Sequence, residues 1–155
     1  MRILAIDPGP TECGWVLWDA PTQRIVRSEI AATRSVLEVV DAYAGDILAI
    51  EMIASYGMAV GREVFETCVW IGRIQQSASD PDAVRLVYRK AVKLHLCGSP
   101  RAKDANIRQA LIDRLGPAGT KKAPGPTYGV KSHAWAALAV AVTVGDELMP
   151  QRRAA

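Results

Sequence analysis

Two carboxylates stand where an apolar chain has least reason to carry them. Asp7 closes the run Ile3-Leu4-Ala5-Ile6, and Glu51 closes Ile47-Leu48-Ala49-Ile50. A charge at the end of a buried strand is costly unless it is paired or bound to a metal. In α/β folds the carboxyl ends of strands are where ligands gather. Asp-Pro-Gly by itself is a common turn, so Asp7 alone proves little. Two such strands side by side would bring both acids to one point, and paired carboxylates are hard oxygen ligands suited to Mg²⁺ or Mn²⁺. The third candidate is His133, which precedes the apolar run Ala134–Val144 behind a possible Ser132 cap. Alone, a histidine there is usually structural. Its meaning depends on whether that helix starts beside Asp7 and Glu51.

The elements that must position these residues follow from periodicity and breaks. Arg2–Asp7, Gly14–Asp19 and Arg24–Ile30 read as three strands with short connections, an antiparallel meander. Ser35–Tyr43 reads as a helix with Val36, Val39, Val40 and Tyr43 on one face, and Ile47–Glu51 as a buried strand. Glu63–Ser77 reads as a helix, Val84–Tyr88 as a fifth strand, and Arg89–Leu96 and Asp104–Leu115 as helices stopped at Gly98 and Gly116. Gly119–Tyr128 reads as a mobile loop, and Ser132–Val144 as a final small-residue helix that packs closely on a sheet. The order implies an α/β fold with a mixed sheet.

Composition narrows the class. The 155 residues suit one domain, 1–155, and half are hydrophobic. No apolar run is long enough to span a bilayer, and no secretory leader is visible, so a cytoplasmic protein is expected. Cys13, Cys68 and Cys97 are too few and too scattered for a zinc site or a disulfide framework and read as core residues. Residues 1–84 hold six Lys and Arg against twelve Asp and Glu. Residues 85–155 hold thirteen against four. A basic half on a small domain fits a polyanionic partner, and fits a solvated surface as well.

At this point the chain resembles the RuvC-type Holliday junction resolvases of the ribonuclease-H-like superfamily. The resemblance rests on Ile3–Gly9 with its Asp-Pro-Gly, Gly14-Trp15-Val16, Leu48–Glu51, Val87–Lys93, Ala102–Ile107 and His133–Ala141, in that order. The segments Glu51–Gly57 and Pro124–Gly129 look most like the phage-borne branch. The resemblance implies a ribonuclease-H-like fold, with a mixed five-stranded sheet of three antiparallel then two parallel strands, flanked by helices. It implies a divalent-metal-dependent endonuclease that resolves branched DNA by paired nicks, as a homodimer, with no organic cofactor and no membrane. Two ions about 4 Å apart, Mg²⁺ or Mn²⁺, would activate water and stabilise the leaving 3′-oxygen. Asp7 would bridge both, Glu51 would hold one and His133 the other.

One departure matters. The last helix of such enzymes usually supplies two acids three residues apart, and here those positions are His133 and Ala136. Asp104 is a candidate replacement ligand, or a first-turn acid on its helix. Lys103 would stabilise the scissile phosphate, or is a solvated helix-start lysine. Arg85, Arg89, Lys90, Lys93, Arg101, Arg108, Lys121, Lys122 and Lys131 would track DNA phosphates, and Tyr56 would stack on an unpaired base. The helix Glu63–Ser77 carries Val64, Phe65, Trp70 and Ile71, and is the expected dimer contact. A flap, fork or hybrid nuclease of the same fold is one alternative. A catalytically silent DNA-binding accessory protein is another, and the missing acid at Ala136 favours it. An actin-like or sugar-kinase-like phosphotransferase is disfavoured, because 155 residues leave no room for a second lobe and show no Gly-rich phosphate loops.

Overall fold

A computed structural model of the chain describes residues 1–149. Arg152 and Arg153, counted in the basic half, and the rest of 150–155 lie outside the described residues. The chain runs β1 (Arg2–Asp7), β2 (Glu12–Asp19), β3 (Arg24–Ala32), α1 (Thr33–Asp41), β4 (Ile47–Met52), α2 (Arg62–Gln76), a single 3-10 turn, β5 (Arg85–Tyr88), α3 (Arg89–Cys97), α4 (Asp104–Leu115) and α5 (Ala134–Leu148). The sheet order is β3-β2-β1-β4-β5. β1, β2 and β3 pair antiparallel, and β4 and β5 join parallel. The expected mixed α/β sheet is therefore the observed one.

Side-chain alternation splits the core into two layers. Ile3, Ala5, Val16, Trp18, Ala49 and Val87 pack against α5, with Val92 of α3 and Ile107 and Leu111 of α4 behind them. Leu4, Ile6, Trp15, Leu48 and Ile50 face the other way, against Val36 and Val40 of α1 and Ile71 and Ile74 of α2. The same period of two puts Asp7 and Glu51, each two residues beyond an alanine of the first set, on the α5 face. α5 is buried along most of its length, which its run of Ala and Val allows.

Several expectations change. Ser132 caps nothing: His133 holds the cap position without a side-chain bond, and Ser132 has a left-handed φ of 41°. Cys68 is exposed and Cys97 half-buried, so only Cys13 is a core cysteine. The segment Gly119–Tyr128, expected as a loop, is folded back on itself. Gly119 and Pro124 form an antiparallel bridge, Gly125 N donates to Ala118 O at 2.8 Å, and the buried Thr127 hydroxyl donates to Gly116 O at 2.9 Å. In α2, Ile71 belongs to the core, so it cannot serve a dimer contact. Phe65 and Val69, one turn apart, are 62% and 54% exposed instead.

Candidate active site

The parallel register of β1 and β4 brings the acids together. Ile6 pairs with Ile50, so one step further Asp7 lies beside Glu51. Asp7 also pairs across β2 with Gly14. A Cβ on Gly14 would stand 2.2 Å from the carbonyl carbon of His133 and 2.4 Å from Ala134 N. Glycine is thus required for α5 to begin directly over the end of the sheet. That approach lets His133 Nδ1 reach Asp7 Oδ2 at 2.9 Å, and His133 Nε2 lies 4.0 Å from Glu12 Oε1.

These residues line a cleft of about 500 Å³ with Ile53, Arg89, Asp104, Ile107, Arg108, Ser132, Trp135 and Ala136. Glu51 is 3% exposed. Its Oε1 accepts from Arg89 Nη1 at 2.7 Å, and its Oε2 is buried with no N–H or O–H donor. Arg89 Nη2 donates to Asp104, whose side chain is 80% exposed. Arg108 stacks over Trp135, 4.9 Å from its ring centroid.

The electrostatics follow from burial. Desolvation raises Asp7 to about 6, although hydrogen bonding to Glu51 and the charge of Arg89 act against it. Desolvation, and then the charge of Asp7, raise Glu51 to about 7 despite Arg89. For Glu51 this is a preference of ~3 kcal/mol for the neutral carboxyl, more than its arginine recovers. Both shifts favour a proton on the pair over a second negative charge. The donor chemistry fits a hard divalent ion at the two carboxylates: Asp7 is half-buried, Glu51 is buried, and Glu51 Oε2 has no donor. Among the described residues, no group of three His, Cys, Asp or Glu side chains is arranged to hold a metal ion.

Of the residues singled out from sequence, Asp7, Glu51, His133, Asp104, Arg89 and Arg108 share this cleft. The others lie elsewhere. Lys103 is the exposed cap residue of α4 and is not part of the cleft wall. Tyr56 is exposed in the turn Ser55–Met58, with Lys90 Nζ 5.8 Å from its ring centroid. Lys93 is half-buried, Arg101 is exposed, and Lys121 and Lys122 sit exposed at the tip of the folded 119–125 loop. Lys131 lines a separate groove with Ser28, Glu29 and Tyr128. Arg85 is paired with Glu147 at 2.8 Å. Arg89 and Arg85 thus each hold a carboxylate in this structure. Trp135 in the cleft was not anticipated, since nothing in a helical apolar run marks one tryptophan as lining a site.

No protein-family model and no curated protein sequence matches the chain. Solved structures do match. RuvC of Thermus thermophilus superposes with a TM-score of 0.70 at 22% identity, over 97% of this chain and 97% of that one. Thermus thermophilus RuvC in complex with Holliday junction substrate superposes at 0.69 and 24% identity, over 97% of this chain and 96% of that one. The chain shares the RuvC fold across nearly its whole length. Among the described residues no helix is long and apolar enough to cross a membrane.

Proposed function

We propose that this chain is a divalent-metal-dependent endonuclease that nicks branched DNA, with four-way junctions as its substrate. The observation that carries this reading is the Asp7–Glu51 pair, half-buried and buried in turn, at the carboxyl end of adjacent parallel strands, with an orphan oxygen on Glu51. The junction-bound RuvC of the same fold supports branched DNA as the polyanion, as does the basic half of the sequence.

Asp7, Glu51 and His133 would hold the cation. Its chemistry there is to activate water and stabilise the leaving oxygen. The rest falls to the chain's own groups. His133 Nδ1 lies at Asp7 Oδ2, so in the tautomer that carries its proton on Nε2, Nδ1 is the nitrogen that would face the ion. Arg108, held over the ring of Trp135, would present a guanidinium to a phosphate entering the cleft. Lys103 and the exposed lysines would position the backbone without reading sequence. Tyr56 on its turn would stack on an unpaired base. The imidazole favours Mn²⁺ over Mg²⁺, because manganese accepts nitrogen more readily. Paired nicks require a two-fold homodimer, for which exposed Phe65 and Val69 of α2 are the proposed contact. Kinship with the phage-borne branch rests on the 51–57 and 124–129 segments.

The test is a panel of end-labelled DNAs: a four-way junction, a fork, a flap, an RNA–DNA hybrid and a linear duplex, each with Mn²⁺ or Mg²⁺. Symmetric nicks in the junction are expected, faster in Mn²⁺. Cleavage confined to forks, flaps or hybrids would shift the substrate. Ala136 and the Arg89 ion pair favour a second reading, a DNA-binding protein without catalysis. Tight junction binding with no nicks in either metal would establish it.

A further inference from the structure

Arg89 has a place in the cleft that no phosphate contact explains. It is the first residue of α3, and β5, which leads into it, pairs with β4 so that Tyr88 lies beside Met52. Its guanidinium therefore arrives next to Glu51. One arm holds Glu51 Oε1 at 2.7 Å and the other holds Asp104. Both of these carboxylates face the same cleft, and a bound metal ion would otherwise claim them. The donors left to an incoming ion are Glu51 Oε2, Asp7 and the ring of His133. Ala136 offers none, and among the described residues no three His, Cys, Asp or Glu side chains are grouped to hold even one ion, so the cleft has fewer donors than two ions need.

The charge of the cleft points the same way. Its wall carries three carboxylates, Asp7, Glu51 and Asp104, against two guanidinium groups, Arg89 and Arg108. With one divalent ion bound, this lining becomes singly positive, the complement of a phosphodiester. A second divalent ion would make it triply positive and would crowd the guanidinium on Glu51. Repulsion between neighbouring cations in a half-buried cleft is only weakly screened.

Building on the nuclease reading, we propose that Arg89 is the resident second cation of this site. The chain then binds one divalent ion where its resemblance implies two, and the guanidinium supplies the other positive charge on Glu51. Arginine suits this role because its planar fork can engage two carboxylates at once and does not lose its proton. It also accounts for Ala136: a site that binds one fewer ion has no use for the second acid on α5.

The experiment counts Mn²⁺ on the full chain at about pH 8, where the carboxylates ionise. Equilibrium dialysis gives the number bound, and electron paramagnetic resonance shows whether bound ions are spin-coupled. Both are run with the chain alone and with a four-way junction carrying uncleavable linkages. One uncoupled Mn²⁺ per chain is expected for wild type and for Arg89→Lys, which keeps the charge. Arg89→Ala frees Glu51 Oε1 and Asp104 and is expected to bind two, with coupling. Circular dichroism checks that it folds; if it does not, the wild-type and Arg89→Lys counts decide. Two coupled ions on wild type would overturn the inference, as would a single ion on folded Arg89→Ala. Two coupled ions with junction nicking would leave the nuclease reading standing, whereas no bound Mn²⁺ and no nicks would remove both.

Discussion

Each end of α5 carries a histidine–carboxylate pair, and the two pairs differ in how completely they are satisfied. At the C-terminal end, His95 Nε2 lies 2.8 Å from Asp146 Oδ2, and Arg114 donates to both oxygens of the same carboxylate. Burial works against the charge of Asp146, but the hydrogen bonds from Arg114 and His95 outweigh it and hold the group below its ordinary value. At the N-terminal end, His133 reaches Asp7 at a similar distance, 2.9 Å. There burial wins, both carboxyls rise, and Glu51 Oε2 has no donor. The first end is a completed ion cluster that stabilises the fold. The second is a desolvated pair short of positive charge, a combination that clusters at functional sites.

The sharpest way to break this contrast is to remove one carboxylate charge at each end. Asp7→Asn should lower single-turnover junction cleavage by ~10³-fold or more while junction binding persists. Asp146→Asn should leave cleavage within about twofold and cost about 1–2 kcal/mol of stability, read by urea unfolding. A catalytic loss at Asp146 equal to that at Asp7 would erase the distinction.

Gly14→Ala tests how α5 is brought to the site. Its Cβ would collide with the backbone of His133 and Ala134, so the helix start must shift. Cleavage is expected to fall ~100-fold and stability by about 2–3 kcal/mol, because a 1 Å displacement at a reacting centre suffices for such a loss. Unchanged kinetics would show that His133 need not sit where it does.

The pH dependence of stability should separate the ends with a smaller effect. Asp7 and Glu51 are raised in the folded chain to about 6 and about 7, so between their unfolded values near 4 and these values the folded state binds more protons. Stability should therefore fall as pH rises from about 4 to about 7. Glu51→Gln should flatten that slope and be about 1–3 kcal/mol more stable than wild type at about pH 8. Asp146 is lowered, so its contribution should be present above the ordinary aspartate value and disappear as pH falls below it. Thermal unfolding across the pH range reads both, and a Glu51→Gln curve parallel to wild type would refute the assignment.

The smallest effect concerns the outer basic residues. Neutralising Lys90 and Lys93 together should weaken binding to junctions and duplexes alike, by about tenfold near physiological salt, and reduce the salt slope by about 2. A loss confined to one DNA sequence would contradict backbone tracking.

The parts of this arrangement legible in the sequence are those set by local period. Continuous apolar runs ending in Asp7 and in Glu51 mark two buried strands, and the parallel pairing of β1 and β4 brings their acids together. His133 was readable as a helix-start residue, but its contact with Asp7 depends on the missing side chain of Gly14 in another strand. Arg89 was read as one cation among many. Its true partners, Glu51 and Asp104, are 38 and 15 residues away and are joined to it only by the β4–β5 register. Ile71 and Phe65 both looked like surplus apolar groups on α2, and only the position of the sheet decides which one is buried. Ser132 illustrates a further limit, because its left-handed φ removes it from the capping geometry that its residue type favours.

The central claim is that the N-terminal end of α5 is completed by a divalent cation. The most direct measurement strips the protein with a chelator, presents the labelled four-way junction at about pH 8, and restores Mn²⁺ stepwise while single-turnover nicking is followed. The expected result is no nicking in chelator and a rate that rises with Mn²⁺ to a plateau. Nicking at the full rate with the chelator still present would contradict the account.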